Sequence, residues 1–135
     1  AISSEQITIN SLDFGGILFV GQVVLSEDDL EGIYDDYMRL LFPLHNDYYV
    51  EGDLKTFLEL NEFKFIKGNL ENFNEKLSSK QDYFYNLYNT EDDSKKFFDE
   101  NLDRFKKLYK YNDEMINVPY YSGVFMRKKP EVSRD

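Results

Sequence analysis

The sequence predicts an α+β domain: a small, mostly antiparallel sheet built from N- and C-terminal strands, packed on one face against about four helices that include an αα-hairpin. Three observations predict it. Runs rich in β-branched and aromatic residues, bounded by glycine and turn residues, occur at 7–25 and again at 117–129. Between them apolar residues recur at helical spacing. The 135 residues contain no linker or repeat that would divide them, and a chain of this length buries roughly two thirds of its extended surface, enough for one self-sufficient core. Residues 1–135 are therefore expected to form a single domain, with 1–5 and 129–135 frayed.

The elements follow in order. "ITINSL" (7–12) alternates, and "GILFVGQVVL" (16–25) is β-branched and aromatic with glycines around it, so the two read as strands joined near Asp13 to Gly16, with Gly21 marking a bulge or a close backbone approach. Ser26 followed by Asp29 reads as the capped start of a helix whose stripe is Leu30, Ile33, Tyr34, Tyr37, Met38 and Leu41. Pro43 ends it, because proline lacks an amide proton and disfavours helical geometry at Phe42. Residues 45–53 are a loop, after which Asp53 caps a short helix burying Leu54, Phe57 and Leu58. "EFKFIKG" (62–68) reads as a short strand.

Asn69 then opens a helix with Leu70, Phe73, Leu77, Phe84, Leu87 and Tyr88 inward, and Thr90 with Asp93 opens another with Phe97, Phe98, Leu102, Phe105, Leu108 and Tyr109 on one face. The two meet at "NT" and are expected to pair as the αα-hairpin. The last strand, 117–129, tolerates Pro119 near its start.

Composition limits the function classes. With no cysteine there is no disulfide and no thiolate metal site, and a reducing, cytoplasmic address is the simpler expectation. The longest apolar run, Phe14 to Leu25, is 12 residues, short of the roughly 20 that cross a bilayer. No basic region precedes it, so it does not read as a signal peptide. The net charge of −10 lies wholly in residues 1–60, which carry 12 acids against the two bases Arg39 and Lys55. Such a balance argues against direct contact with nucleic acid or an anionic membrane, both of which need a basic footprint.

Catalytic and metal motifs are weak. The single histidine, His45, stands before Asn46 and Asp47 in turn chemistry, and "GGILFVG" has neither dinucleotide nor phosphate-loop spacing. Asp47, Glu51 and Asp53 around Gly52 do not match a calcium loop, so no metal and no cofactor is expected.

The acids of "SEDDLEGIYDDY" (26–37) carry the functional expectation. Glu27, Asp28 and Asp29 suit a helix start, where each gains roughly 0.3–1 kcal/mol from the dipole. Asp35 and Asp36 would lie mid-helix, where aspartate costs several tenths of a kcal/mol. Asp28, Glu31, Asp35 and Asp36 therefore read as a recognition face, continued by Asp47, Tyr48, Tyr49, Glu51 and Asp53. Carboxylates interleaved with tyrosine suit capture of a basic protein. The leading expectation is a binding module rather than an enzyme, an inhibitor of the immunity-protein kind that occludes a basic toxin nuclease or another nucleic-acid-binding protein. The alternative is a small-ligand-binding or hydrolytic domain using loop carboxylates and tyrosines near His45, for which a pocket converging on those residues would be the evidence.

Overall fold

A computed structural model describes residues 14–129. The strand expected at 7–12 and most of the two frayed ends lie outside them. Three strands, β1 (Ile17–Val23), β2 (Phe63–Lys76) and β3 (Met115–Arg127), form an antiparallel sheet in the order β1-β3-β2. Among the described residues five helices accompany the sheet in this α+β fold: α1 (Ile33–Leu41), α2 (Glu51–Leu60), α3 (Leu77–Tyr88), α4 (Glu91–Glu100) and α5 (Leu102–Tyr109).

Strand alternation divides the core in two. On one face Leu18, Val20, Val24, Tyr121 and Phe125 meet Leu54 and Leu58 of α2, with Phe63. On the other face Leu25, Ile116 and Val118 meet the buried stripe of α1 and residues of α3, α4 and α5, including Leu77, Phe98 and Phe105. Helices thus cover both faces of the sheet, not one. The reason is legible in β1 and β3, where apolar residues occupy both alternating sets.

Glycine makes one of these packings feasible. A Cβ on Gly123 would stand 2.6 to 2.8 Å from Tyr121 ring and hydroxyl atoms, and Tyr121 is fully buried. Gly123→Ala should therefore cost about 1–3 kcal/mol by overpacking, read as a lower urea midpoint with unchanged slope; an unchanged midpoint would show that the ring can move aside. Gly21 is the expected close approach, its Cβ position lying 2.6 Å from the Tyr120 hydroxyl.

Pro119 sits in the central strand, where a missing donor is normally excluded. Its carbonyl accepts from the Val24 amide at 3.0 Å, just past the end of β1, so its nitrogen faces the side on which β1 has left the sheet.

Two boundaries differ from expectation. α1 begins at Ile33, not after Ser26: residues 26–32 form consecutive turns (Asp29 N–H to Ser26 O, 3.0 Å; Gly32 N–H to Asp29 O, 3.1 Å), and Gly32 takes φ +68. Leu30, assigned to the apolar stripe, is consequently 92% exposed. β2 continues through Asn69, which caps no helix; its side chain donates to Glu71 at 2.9 Å. The long β3 offers backbone partners from Arg127 to Met115, and that pairing overrides the helical spacing of Leu70, Phe73 and Leu77.

α3 and α4 are joined at Asn89 and Thr90, but they pack chiefly on α1 and not on each other as the expected αα-hairpin would. The Thr90 hydroxyl donates to Leu41 O at 2.7 Å, satisfying a carbonyl at the C-terminus of α1. A break at Asn101 divides the expected long helix into α4 and α5.

Candidate functional site

The best-built polar cluster lies where the loop after α1 folds back on that helix. Because α1 starts at Ile33, Asp35 and Asp36 occupy its first turn, where the dipole favours them. Asp35 also anchors the loop: its Oδ1 accepts from His45 Nε2 at 2.8 Å and from the Tyr48 amide at 2.7 Å, and its Oδ2 pairs with Arg39. Burial pushes the Asp35 carboxyl up, but the hydrogen bonds from His45 and Tyr48 and the nearby Arg39 charge outweigh it and hold the pKa below the usual carboxylate range. An ionised carboxylate only accepts, so Nε2 carries the His45 proton, and in the neutral ring Nδ1 is the acceptor.

Arg39 gathers the surrounding acids. Its guanidinium reaches Asp47 at 2.6 Å and Asp36 at 3.3 Å besides Asp35, and the bond to Asp47 is the largest cause raising its pKa. The His45 ring, buried at its side chain, stands edge-on to Tyr48 at 4.3 Å, and Tyr48 stacks on Tyr34 at 5.6 Å. Burial first, then the negative charges of Glu75 and Asp35, push the Tyr48 hydroxyl up to about 12.

Beside this cluster opens a cavity of about 450 Å³. Met38, Phe42, Leu44, Leu54, Phe57 and Phe84 give it apolar walls, with Phe42 and Phe84 stacked at 4.8 Å. Gln22, His45, Asp47, Tyr48, Tyr49 and Lys80 supply the polar groups. Lys80 is paired with Glu75 at 3.0 Å.

The other acids of the expected recognition face lie elsewhere. Glu31 pairs with Arg104 at 2.6 Å beside a second, mixed-charge cavity that Asp28 also lines, and Glu51 pairs with Lys55 at 2.9 Å within α2. Asp53 is exposed in the first turn of α2. Among the described residues no group of three or more His, Cys, Asp or Glu side chains is placed to hold a metal, and no helix is long and apolar enough to cross a membrane.

Sequence reasoning placed His45, Asp47, Tyr48 and Tyr49 near one another but missed the walls. Gln22, Phe57 and Phe84 come from three separate elements, and nothing local joins them; only the aromatic "FPLHNDYY" (42–49) after the helix-ending proline signalled a structured loop.

No protein-family model and no curated protein sequence matches the chain. Its fold does resemble solved structures. A candidate methyltransferase (BH2331) from Bacillus halodurans aligns with a TM-score of 0.71 at 13% identity, over 87% of this chain and 58% of that one. The YcgJ protein from Bacillus subtilis aligns with a TM-score of 0.69 at 11% identity, over 91% of this chain and 56% of that one. The chain thus spans a little over half the length of either. This likeness of fold, to a protein described as a candidate methyltransferase and to YcgJ, overturns the expectation of an immunity-type inhibitor that occludes a basic partner. The acidity that suggested it is in part internal wiring: Asp35 is spent on the loop, and Arg39, Lys55 and Arg104 hold Asp36, Asp47, Glu51 and Glu31.

A methyl donor of nucleoside type calls for a glycine-rich turn between a parallel strand and a helix, with backbone amides free at the helix start. The described residues do not fit one. The sheet is wholly antiparallel, and the Ile33 and Tyr34 amides at the start of α1 are already bound to Asp29.

Proposed function

We propose that this chain forms the acceptor-binding part of a methyltransferase-like protein and takes a small, mainly apolar molecule with one polar end into the cavity beside His45. The supporting observation is that cavity: its volume lies in the range of ligand sites, and its apolar walls converge on a few positioned polar groups. Phe42 and Phe84 suit an aromatic ring. His45, fixed by Asp35, presents Nδ1 as an acceptor for a hydroxyl or amine proton. The two charged groups of the lining are already paired, Asp47 with Arg39 and Lys80 with Glu75, so the cavity offers no unpaired cation to an anionic ligand. No transfer step is assigned to this chain.

His45 is the only histidine, so its ring resonances report on this site alone. Titration with 2-naphthol should shift them saturably, and Phe84→Ala should weaken that binding roughly tenfold, as expected for loss of an aromatic contact. 4-Hydroxybenzoate should bind more weakly than phenol. Resonances that stay put with both neutral probes up to about 10 mM, the limit of weak specific binding, would refute the reading.

A further inference from the structure

We propose that the free edge of β2 pairs with the same strand of a second copy, antiparallel and about a twofold axis through Asn69, joining the two sheets into one. Among the described residues β2 and β1 are the outer strands of the sheet, and β2 runs for 14 residues with β3 as its strand partner. Native edges of that length are usually covered or blunted. Here, beyond Phe63, the strand is exposed almost throughout, with Ile66 at 47%, Leu70 at 40% and Phe73 at 46%. Apolar side chains are exposed on both faces: Phe73 touches Tyr120 on one, while Leu70 is in register with Tyr121 on the other.

Charge order selects the occupant. Along β2 the bases Lys64 and Lys67 precede the acids Glu71 and Glu75, the second of which is already paired with Lys80, and Lys76 closes the strand. A second copy running antiparallel therefore brings base to acid, whereas a parallel copy in register sets Lys67 against Lys67 and Glu71 against Glu71. The pleat then restricts the alignment, because residues directly opposite must share a face. From Lys67 onward, Lys67, Asn69, Glu71 and Phe73 share one face. Centred on Asn69, Lys67 of each copy faces Glu71 of the other, and Leu70 lies against Gly68, which has no side chain to obstruct it. Centred on Leu70, Lys67 faces Phe73 and neither charge is matched. Centred on Glu71, Lys67 would meet Glu75, but Glu75 is already paired with Lys80 and the two Glu71 carboxylates would face each other. The bulge between Phe65 and Lys67 closes the paired stretch at its start. The result is an isologous contact, which closes at two copies and grows no further.

The chain has no cysteine, so one introduced thiol reads the register directly. Asn69→Cys should form an intermolecular disulfide under mild oxidation, since residues opposite each other across the axis have Cα atoms about 4.5–5.5 Å apart. Asn74→Cys, beyond the matched stretch, should remain largely unlinked. Sedimentation of the unmodified chain should show a reversible monomer–dimer equilibrium. Lys67→Glu or Glu71→Lys alone should weaken it roughly tenfold or more by setting like charges together, and the combined Lys67→Glu, Glu71→Lys chain should restore it. A chain that stays monomeric to about 1 mM, where even weak pairing would register, or a double variant as weak as the single ones, overturns the proposal.

Discussion

Asp29→Ala should lower the stability of the domain by roughly 3–4 kcal/mol, more than any other single carboxylate change, because three donors lose their acceptor inside the protein. Asp29 is 3% exposed, and among the described residues its carboxylate is held by dipoles: two backbone amides and a hydroxyl. Its Oδ1 accepts from the Ile33 amide at 2.9 Å. Its Oδ2 accepts from the Tyr34 amide at 3.2 Å and from the Tyr109 hydroxyl at 2.6 Å. The Tyr109 oxygen in turn accepts from the Ser26 amide at 3.2 Å. Burial first, then Asp29, raises the Tyr109 pKa well above the ordinary tyrosine value, so that ring stays a donor. One carboxylate thereby caps α1 from within a turn and ties that turn to α5, 80 residues away.

Deletion leaves two amides and a hydroxyl unpaired where water does not reach, each a penalty of about 1–3 kcal/mol if the site does not relax. Partial relaxation brings the sum down to the figure given. The midpoint of thermal unfolding should fall by roughly 10 °C or more. Asp29→Asn keeps one acceptor oxygen but turns an amide toward donors, and should fall between parent and alanine variant. Asp28→Ala next door, on an exposed side chain, should stay within about 0.5 kcal/mol of the parent. An Asp29→Ala chain within 1 kcal/mol of the parent in urea would show that water or a shifted turn replaces the carboxylate, contrary to this account.

The same residue shows how far the sequence could be read. That an acid near 29 serves a helix start was legible, but the capping pattern was read at Ser26, and the intervening turns through Gly32 were not. Two further consequences followed from that displacement. Asp35 and Asp36 looked out of place in mid-helix, though the first turn is where such charges belong, and the surplus acidity was given to a partner. The inward stripe from Ile33 to Leu41 and the stop before Pro43 survived, because both depend on spacing within the helix and not on where it starts.

The start of β2 was read as a strand, but its continuation from Asn69 was missed for a different reason. A strand exposed on both faces has no alternation of apolar and polar residues to mark it, and Leu70, Phe73 and Leu77 happen to fall at helical intervals. Only the partner, β3, supplies the missing information, and a pairing between residues some 40 to 60 positions apart leaves no local trace. The cavity is hidden likewise, since its walls meet only after the sheet and three helices are in place.

Asp35→Asn should destabilise the domain by about 2–3 kcal/mol near pH 7, and the loss should shrink as pH falls. The carboxylate accepts from His45 and from the Tyr48 amide, so it holds the loop at two points, and it pairs with Arg39 within α1 while helping the helix dipole. Asparagine keeps one acceptor oxygen, yet its amide hydrogens oppose either Arg39 or His45. Against its own burial, those hydrogen bonds and the Arg39 charge place the folded-state pKa of Asp35 below the unfolded value. The carboxylate's contribution is therefore complete above an unfolded pKa of about 4. It is lost as pH falls through the lower folded-state pKa, where the group takes up its proton. Below both, parent and variant carry an uncharged group at this position and their stabilities should converge.

Urea unfolding of both chains at pH 7 and at pH 3 or below tests this directly. A difference that is the same at both would mean that shape, not charge, makes Asp35 valuable, and the pinning of His45 would need another cause. The His45 resonances add a second reading. With Asp35 present the ring is held through Nε2; in the variant it should lose that anchor, move more freely against Tyr48, and bind neutral aromatic probes more weakly. A variant that is destabilised yet binds those probes as tightly as the parent would separate the loop's stability from the cavity's function, leaving Asp35 a structural residue alone.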